Sequence, residues 1–309
     1  MEDVIIIGGG IASHSAAVYT SRAKLKTIVI CGFEPDQLSL TTLVENYPGF
    51  PEGVLGPELI RNTRKQAEKF GAKYVEAVVT GFEIKKDGYE VKAEGKTYKS
   101  ETIIISTGAK PRRLDIPGEN KYFGRGVSTC AVCDAALYKN KIAVVVGGGD
   151  SAMEEALALV KFTSKVYIVH RRDEFRASKI MQDRVLKLKN NIEIIWDSMP
   201  TEVLGNKFVE AVKIKNLKTN KETTLKADGM FLAIGHIPNT EIFKGKVELD
   251  ELGFIKTDRK MHTSLPGVFS AGDVQDHVYK QAVTSAGTGC VAALEAEWHI
   301  EKLKAEGKY

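Results

Sequence analysis

Two stretches of the chain share one pattern of apolar and polar positions. In the first, the apolar run Val4–Ile7 leads into consecutive glycines and then into the alanine-rich segment "IASHSAAVYTSRA". In the second, Ile142–Val146 leads into "GGGDSAMEEALALV". A short β-branched run is typical of a buried parallel strand, and an alanine-rich segment after glycine is typical of a helix. Each stretch therefore predicts a strand, a tight glycine turn and a helix.

The spacing of small residues in these turns predicts two phosphate-binding loops. They are Gly8, Gly10 and Ser13 in the first turn, and Gly147, Gly149 and Ala152 in the second. Glycines let the backbone approach a pyrophosphate, and the N-terminus of the following helix supplies free N–H groups. Ser13 stands where a third glycine is usual, and its small side chain still allows close packing of helix on strand. Two such turns predict two dinucleotide-binding domains.

The residues after the second strand of the second unit indicate which dinucleotide binds there. That strand ends at His170, where an NAD-specific site would place an acid on the ribose hydroxyls. Arg171 and Arg172 follow instead, with Arg176 on the next turn. Guanidinium groups suit a phosphate, so the pattern favours NADPH over NADH. A solvated basic helix start is the alternative interpretation.

The remaining patterns predict an α/β fold in which one domain is inserted into the other. Glu34, just past strand Ile28–Ile30, is a candidate for the ribose of the first dinucleotide. An amphipathic helix is predicted over Gly56–Phe70, and a strand and a long final helix follow Lys244. The predicted domains are residues 1–112 and 245–309 for the first dinucleotide and residues 113–244 for NADPH, each Rossmann-like with three layers (ββα).

Two of the four cysteines, Cys130 and Cys133, form a Cys-x-x-Cys pair. Four cysteines are too few for a disulfide scaffold in 309 residues. A zinc site usually needs four ligands, and the sequence has no second Cys-x-x-Cys and no histidine pair at ligand spacing. The redox interpretation is therefore favoured, with no metal. Asp134 is a candidate acid/base for the thiols, or a cap on the next helix. Cys31 and Cys290 are predicted to be core thiols.

Composition excludes some partners. The formal net charge of +4 is small, and the basic residues are scattered, so nucleic acid is not expected as a partner. No apolar stretch reaches the roughly 20 residues that a membrane-spanning helix needs. Acidic residues precede the first apolar run, unlike a signal peptide, which predicts a cytoplasmic protein without a membrane partner.

Motifs along nearly the whole chain resemble those of the low-molecular-weight thioredoxin reductases. They are "QLSLTTLVENYPGFPEG", "CAVCD", "GGGDSAMEEA", "HRRDEFRA", "AIGHIPNT" and "GVFSAGDVQDHVYKQAVTSAGTGC". The resemblance implies FAD in the first domain, NADPH in the second, and a homodimer. It also implies electron flow from NADPH to the flavin, then to the Cys130–Cys133 disulfide, and finally to thioredoxin. Cys133 is then the sulfur nearest the flavin.

The motifs also indicate which residues contact each cofactor. For FAD they are Gly8, Gly10, Ser13, Glu34, Gln37, Leu38, Asn46, Gly108, Gly272, Asp273, Lys280, Gln281 and Ala282. For NADPH they are Gly147, Gly149, Asp150, Ser151, His170, Arg171, Arg172, Arg176 and Gly235. A carboxylate at Asp273 can accept hydrogen bonds from the ribityl hydroxyls of a flavin, although an N-cap would carry the same residue.

Two alternative functions remain compatible with the sequence. A related flavin disulfide reductase would use the same dithiol on a glutaredoxin-like protein or on a peroxidase component. A non-catalytic dinucleotide-binding protein would share the glycine turns, but the intact cysteine pair and the arginines argue against it. The residues that usually follow the Cys-Asp turn in the family are aromatic, whereas this chain has Ala136 and Leu137.

Overall fold

The computed structural model describes residues 1–41 and 43–309 and divides into two compact units. The first unit contains Met1–Lys110 and Ile237–Tyr309, and the second contains Pro111–His236. One unit is therefore an insertion in the sequence of the other.

The helices and strands follow the chain in this order. The first segment contains β1 (Glu2–Ile7), α1 (Ile11–Arg22), β2 (Thr27–Cys31), β3 (Leu43–Val44), β4 (Val54–Leu55), α2 (Gly56–Lys69), β5 (Lys73–Glu76), β6 (Val79–Lys85), β7 (Gly88–Ala93), β8 (Lys96–Ile105) and β9 (Ala109–Pro111). The inserted segment contains β10 (Val127–Ser128), α3 (Ala131–Asp134), β11 (Ile142–Val146), α4 (Asp150–Leu159), β12 (Lys165–Val169), α5 (Lys179–Leu186), β13 (Ile192–Ile195), β14 (Ser198–Gly205), β15 (Val209–Asn216), β16 (Glu222–Lys226) and β17 (Gly229–Leu232). The last segment contains β18 (His236–Pro238), β19 (Val268–Ser270) and α6 (Ala282–Ala305). Short 3-10 helices cover Ala135–Tyr138 in the inserted segment, and Glu241–Phe243 and Gly272–Val274 in the last segment.

The first unit is built on a mixed sheet with the order β5-β2-β1-β8-β7-β6. Strands β5, β2, β1 and β8 are parallel, and β19 from the last segment pairs in parallel with β8. Helices α1 and α6 cover one face, where Gly289 lies so close to α1 that a Cβ would come within 2.3 Å of the Ala12 carbonyl oxygen. The last segment therefore completes both the sheet and the helical layer of this unit.

The second unit has three layers. Its central sheet is parallel throughout, in the order β10-β17-β11-β12-β13. On one face, Met153 and Leu159 of α4 lie in the same buried core as Ala131 of α3. On the other face, Val203 and Val212 of the antiparallel meander β14-β15-β16 pack into a second core. The predicted α/β class with two Rossmann-like units is confirmed, whereas the sequence analysis did not identify the meander.

The second crossing between the units occurs earlier in the chain than the predicted boundary after Lys244. Residues 237–244 lie in the first unit. The reason is apolar packing: Phe243 is fully buried against Phe82, with ring centroids 5.5 Å apart. The segments at the two crossings, β9 and β18, form a two-stranded sheet.

A buried histidine on α1 makes the stability of the first unit depend on pH. His14 is 2% exposed, and its Nδ1 lies 3.0 Å from the hydroxyl of Tyr74 on β5. Burial, reinforced by the charge of Arg64, lowers the pKa of His14 to about 4. The unfolded chain, with an ordinary histidine pKa near 6.5, therefore takes up a proton at a higher pH than the folded chain.

We expect the first unit to lose about 3 kcal/mol of unfolding free energy between pH 7 and pH 4 through His14, at about 1.4 kcal/mol per pKa unit. The variant His14→Gln removes this contribution, so its stability should depend less on pH. Urea unfolding at a series of pH values measures the difference. The exposed His277→Gln is the control and should follow the wild type; an unchanged pH dependence in His14→Gln would contradict the assignment.

Candidate active site

The cysteine pair forms a disulfide at the start of α3. Cys130 and Cys133 are bonded, with their Cα atoms 5.4 Å apart, within the normal range for disulfides. Cys130 is the N-cap residue of α3, and its Sγ accepts the backbone N–H of Cys133 at 3.2 Å. Cys133 is exposed and Cys130 is half-buried. The bond therefore lies where a second protein can reach it.

Ser128 ties this disulfide to Asp134. Its Oγ accepts the backbone N–H of Cys130 at 3.1 Å and donates to Asp134 Oδ2 at 2.6 Å. Burial raises the pKa of Asp134, and the hydrogen bond from Ser128 opposes part of that shift. Asp134 precedes a 3-10 helix but makes no capping hydrogen bond to it. A carboxyl group with a raised pKa suits the acid/base role better than the capping role.

A second carboxylate reaches the same short helix from α4. The backbone N–H of Ala131, the residue directly after Cys130, donates to the carboxylate of Glu155. The two residues are 24 positions apart, so no local sequence pattern indicates this contact. Sequence reasoning missed both Ser128 and Glu155.

The first glycine of each turn is required by the fold. A Cβ at Gly8 would lie 2.2 Å from the carbonyl oxygen of Ser106, and one at Gly147 would lie 2.4 Å from that of Ala233. Both glycines also have positive φ, at 138° and 152°. Ser13 contributes to the same close packing, because its buried Oγ lies 2.9 Å from Ser106 Oγ. These contacts bring the start of each helix against the neighbouring strand.

The second glycine of each turn faces open space. Gly10 and Gly149 are the N-cap residues of α1 and α4, and neither helix has a side-chain cap. A Cβ at Gly149 would meet no atom within 4 Å, and one at Gly10 would meet only Asp36 Cβ, at 3.8 Å. The helix N-terminus and the free volume above it fit the pyrophosphate of a dinucleotide.

The loop after β2 is held by Asp36. Its carboxylate accepts the backbone N–H groups of Leu38 at 2.9 Å and Ser39 at 3.2 Å, as well as the Ser39 hydroxyl. Leu38 packs against an apolar cluster that includes Ile11, whereas Gln37 is exposed. Glu34, also exposed, forms an ion pair with Lys110.

Residues far apart in sequence meet at the start of α6. Asn46 Nδ2 donates to Gln281 Oε1 at 3.2 Å, and Gln281 caps α6, which begins at Ala282. Asp273 accepts the Ser285 hydroxyl at 2.8 Å, and burial raises the pKa of Asp273.

Neither neighbouring helix uses Asp273 as its N-cap; those positions belong to Ala271 and Gln281. The N–H of Gly272 donates to Thr288 Oγ1 at 3.0 Å, and Lys280 Nζ donates to the His277 carbonyl at 2.6 Å. Gly108 has φ of +69° and a Cβ there would meet open space.

In the second unit, two predicted site residues are already hydrogen-bonded within the protein. Asp150 accepts both the backbone N–H and the hydroxyl of Ser178, each at 2.8 Å. The His170 ring packs on Gly148, and its Nε2 lies 3.0 Å from the Glu174 carbonyl oxygen. These contacts fold the segment after β12 back over the glycine turn. Ser151 is exposed at the start of α4.

Three arginines follow β12, and the backbone N–H of Arg176 donates to the carbonyl oxygen of Gly148 in the turn at 2.8 Å. Arg171, Arg172 and Arg176 are exposed, and none forms an ion pair with a carboxylate among residues 1–41 and 43–309. After burial, which is the main cause, all three charges lower the pKa of His170. The arginines therefore share one positively charged region. Gly235, at φ +94°, follows β17 in the same unit.

Neither a metal site nor a membrane-spanning helix is found in the part of the chain that the structure describes. Outside Thr42, no group of three or more His, Cys, Asp or Glu residues is arranged to hold a metal ion. Within the same described residues, no helix is both long enough and apolar enough to cross a membrane.

Together the fold and the site define an α/β oxidoreductase with two dinucleotide-binding units and a disulfide. Residues 2–289 match the pyridine nucleotide-disulphide oxidoreductase family. The chain is 50% identical to a thioredoxin reductase of Rickettsia conorii over 97% of this chain and 98% of that one. It is 48% identical to a thioredoxin reductase of Chlamydia pneumoniae over 95% and 97% of the two chains.

The solved thioredoxin reductase of Giardia duodenalis matches with a TM-score of 0.92 and 45% identity, covering 97% of this chain and 99% of that chain. The chain therefore belongs to the pyridine nucleotide-disulphide oxidoreductases and, among them, to the thioredoxin reductases. The predicted family and enzyme class are confirmed. Membership implies the use of a flavin and a pyridine nucleotide.

The two glycines of the second turn should respond differently to the same substitution. Gly147→Ala places a Cβ against the Ala233 carbonyl at a positive φ, so we expect a clear drop in the melting temperature of the second unit. Gly149→Ala meets no atom and has φ of −100°, so its melting temperature should match the wild type. Thermal unfolding of both variants tests this, and equal destabilisation would refute the description of the turn.

Proposed function

We propose that this protein is an NADPH-dependent thioredoxin reductase, with FAD bound by the first unit and NADPH by the second. The observation that carries the proposal is the exposed Cys130–Cys133 disulfide, held on a unit that also has an open glycine turn. When bound, FAD would accept an electron pair from NADPH and supply it to this disulfide.

In the first unit, the FAD contacts are assigned to the residues that line the glycine turn and the start of α6. They are Gly8, Gly10, Ser13, Glu34, Gln37, Leu38, Asn46, Gly108, Gly272, Asp273, Lys280, Gln281 and Ala282. Support comes from the open space at Gly10 and from the buried carboxylate of Asp273, which can accept hydroxyl hydrogen bonds. The hydrogen-bonded side chains of Asn46 and Gln281 add two amide groups at the start of α6.

In the second unit, the NADPH contacts are Gly147, Gly149, Asp150, Ser151, His170, Arg171, Arg172, Arg176 and Gly235. The N-terminus of α4 offers N–H groups to the pyrophosphate. The three arginines form no ion pair within residues 1–41 and 43–309, and they offer charge-assisted hydrogen bonds to a 2′-phosphate, which NADH lacks. Asp150 and His170 hold the surrounding loop through Ser178 and Glu174.

The reduced cysteine pair would transfer its electrons by thiol–disulfide exchange. One cysteine thiolate attacks the partner's disulfide, forming a mixed disulfide and releasing one partner thiolate, which takes up a proton. The second cysteine then attacks the mixed disulfide, re-forming the Cys130–Cys133 bond and releasing the second partner sulfur. Asp134, held by Ser128, is the group that we assign to give and take protons at these sulfurs.

Thioredoxin is the proposed protein substrate. Val132, between the two cysteines in sequence, and Leu137, four residues after Cys133, are 64% and 48% exposed and offer apolar surface to a docking protein. The homodimer and the cytoplasmic location remain predictions from the family resemblance and from the composition.

Replacing Cys133 tests the proposed reaction directly. In Cys133→Ser the exchange cannot be completed, so NADPH oxidation with thioredoxin as acceptor should fall to background. The bound flavin should still be reduced by NADPH, which its bleaching reports. Cys290→Ser, which changes a free cysteine, is the control and should keep full activity. Full thioredoxin reduction by Cys133→Ser would refute the dithiol assignment; activity only with a glutaredoxin-like acceptor would redirect the substrate assignment.

The arginines should select NADPH through its 2′-phosphate. Each charged hydrogen bond is worth about 1.5–3 kcal/mol, so Arg171→Ala or Arg176→Ala should raise the KM for NADPH by about ten- to a hundredfold. The KM for NADH should stay unchanged, because NADH has no phosphate at that position. Arg184→Ala, on α5 of the same unit, is the matched control. An equal effect on both dinucleotides would instead favour the solvated basic helix start.

A further inference from the structure

The contact between Glu155 and Ala131 gives α4 a role at the disulfide. Glu155 is half-buried on α4, and its carboxylate accepts the N–H of the residue that directly follows Cys130. The proposed exchange reaction assigns it no step. Its neighbour Glu154 lies on the same helix, is exposed and makes no such contact with α3.

We propose that Glu155 is a positioning residue that makes the Cys130–Cys133 pair more strongly reducing, by fixing the start of α3 and placing a negative charge beside Cys130. The inference deepens the proposed function, because it concerns the dithiol on which that function rests.

The backbone donors around Cys130 support this role. A cysteine at the start of a helix is normally acidified, because free N–H groups there stabilise the thiolate. In this protein the N–H of Ala131 is taken by the Glu155 carboxylate, and the N–H of Cys133 is the one directed at Cys130 Sγ. Glu155 thus removes one donor from the thiolate and adds a like charge, and both effects disfavour the charged sulfur.

The other ionisable groups near α3 do not place a negative charge at the backbone N–H of Ala131. Asp134, on α3 itself, is bound to Ser128, and burial raises its pKa. Tyr138, on the adjacent 3-10 helix, is buried, and its pKa is raised to about 12, so it is neutral at pH 7. On α4, Asp150 is bound to Ser178 at the far end of the helix.

A destabilised thiolate has a direct consequence for electron transfer. When the thiolate is disfavoured and the disulfide is not, the equilibrium moves toward the disulfide and the reduction potential becomes more negative. A cysteine pair that must reduce another protein's disulfide benefits from a more negative reduction potential. The carboxylate of Glu155 therefore opposes the acidification that the Cys-x-x-Cys position would otherwise produce.

Two isosteric variants test the proposal in the full-length, flavin-loaded protein. Glu155→Gln keeps an acceptor oxygen for Ala131 and removes the charge; Glu154→Gln removes the same charge from the exposed neighbour. After reduction with dithiothreitol, the pH dependence of iodoacetamide labelling at Cys130 is measured by mass spectrometry. We expect the thiol pKa of Cys130 to fall by about one unit in Glu155→Gln and to stay unchanged in Glu154→Gln.

The second readout is the reduction potential of the pair. It is measured from the fraction of alkylated Cys130 and Cys133 in graded mixtures of reduced and oxidised dithiothreitol. Glu155→Gln should show a less negative potential than the wild type, and Glu155→Ala, which also frees the Ala131 N–H, should shift at least as far. Unchanged values in Glu155→Gln would overturn the proposal, even if Glu155→Ala differed, since the effect would then be structural.

Neither readout uses NADPH or thioredoxin. A protein that does not reduce thioredoxin would defeat the proposed function and leave the result on Glu155 intact. A protein that reduces thioredoxin at full rate, with no shift at Cys130 in Glu155→Gln, would defeat only the inference on Glu155.

Discussion

Both units depend on the same kind of close contact. In each unit, the backbone carbonyl oxygen of the residue just after a strand lies where a Cβ would be on the first glycine of the turn. In the second unit this contact joins Gly147 to Ala233, and it fixes where α4 begins. Helix α4 then places Glu155 against the backbone N–H of Ala131, at the start of α3. The contact that shapes the glycine turn at one end of α4 thus also determines how the helix reaches the disulfide.

The four-residue helix α3 buries one side chain, that of Ala131, in the core it shares with α4. Polar groups from neighbouring segments hold it as well, with Ser128 on one side and Glu155 on the other. Both partners bind backbone N–H groups that flank Cys130. Because these anchors do not involve the sulfur atoms, they can persist when the disulfide opens, and the two cysteines remain placed for the second step of exchange.

The sequence predicted those elements that are determined by residues close together along the chain. Strand Ile142–Val146 has the predicted bounds, and helix α2 begins at the predicted Gly56 and ends at Lys69, one residue before the predicted end. The pair Cys130–Cys133 was identified from its spacing and forms a disulfide. In contrast, the contact of Glu155 with Ala131 and that of Asn46 with Gln281 join residues 24 and 235 positions apart. Tertiary packing sets such contacts, and one sequence carries no periodic signal for them.

The meander β14-β15-β16 was missed for a different reason. Its strands alternate between exposed and buried positions, but its last strand, β16, is mostly exposed and polar. Such a strand lacks the apolar face that identifies most strands in a sequence. The buried residues Val203 and Val212 show that the first two strands carry the packing, while β16 is held by its backbone ladder to β15.

The two glycine turns differ most in their charged surroundings. Beside Gly10, the carboxylate of Asp36 would repel a phosphate, but it is directed into its own loop, where three donors from Leu38 and Ser39 share its charge. At the second turn, Asp150 is held by Ser178, and Arg171, Arg172 and Arg176 form no ion pair among the residues that the structure describes. The first turn therefore tolerates an acid by hydrogen-bonding it locally, whereas the second keeps positive charge available. Because the two turns share one backbone design, we expect the residues after the second strand of each unit to decide which dinucleotide binds there.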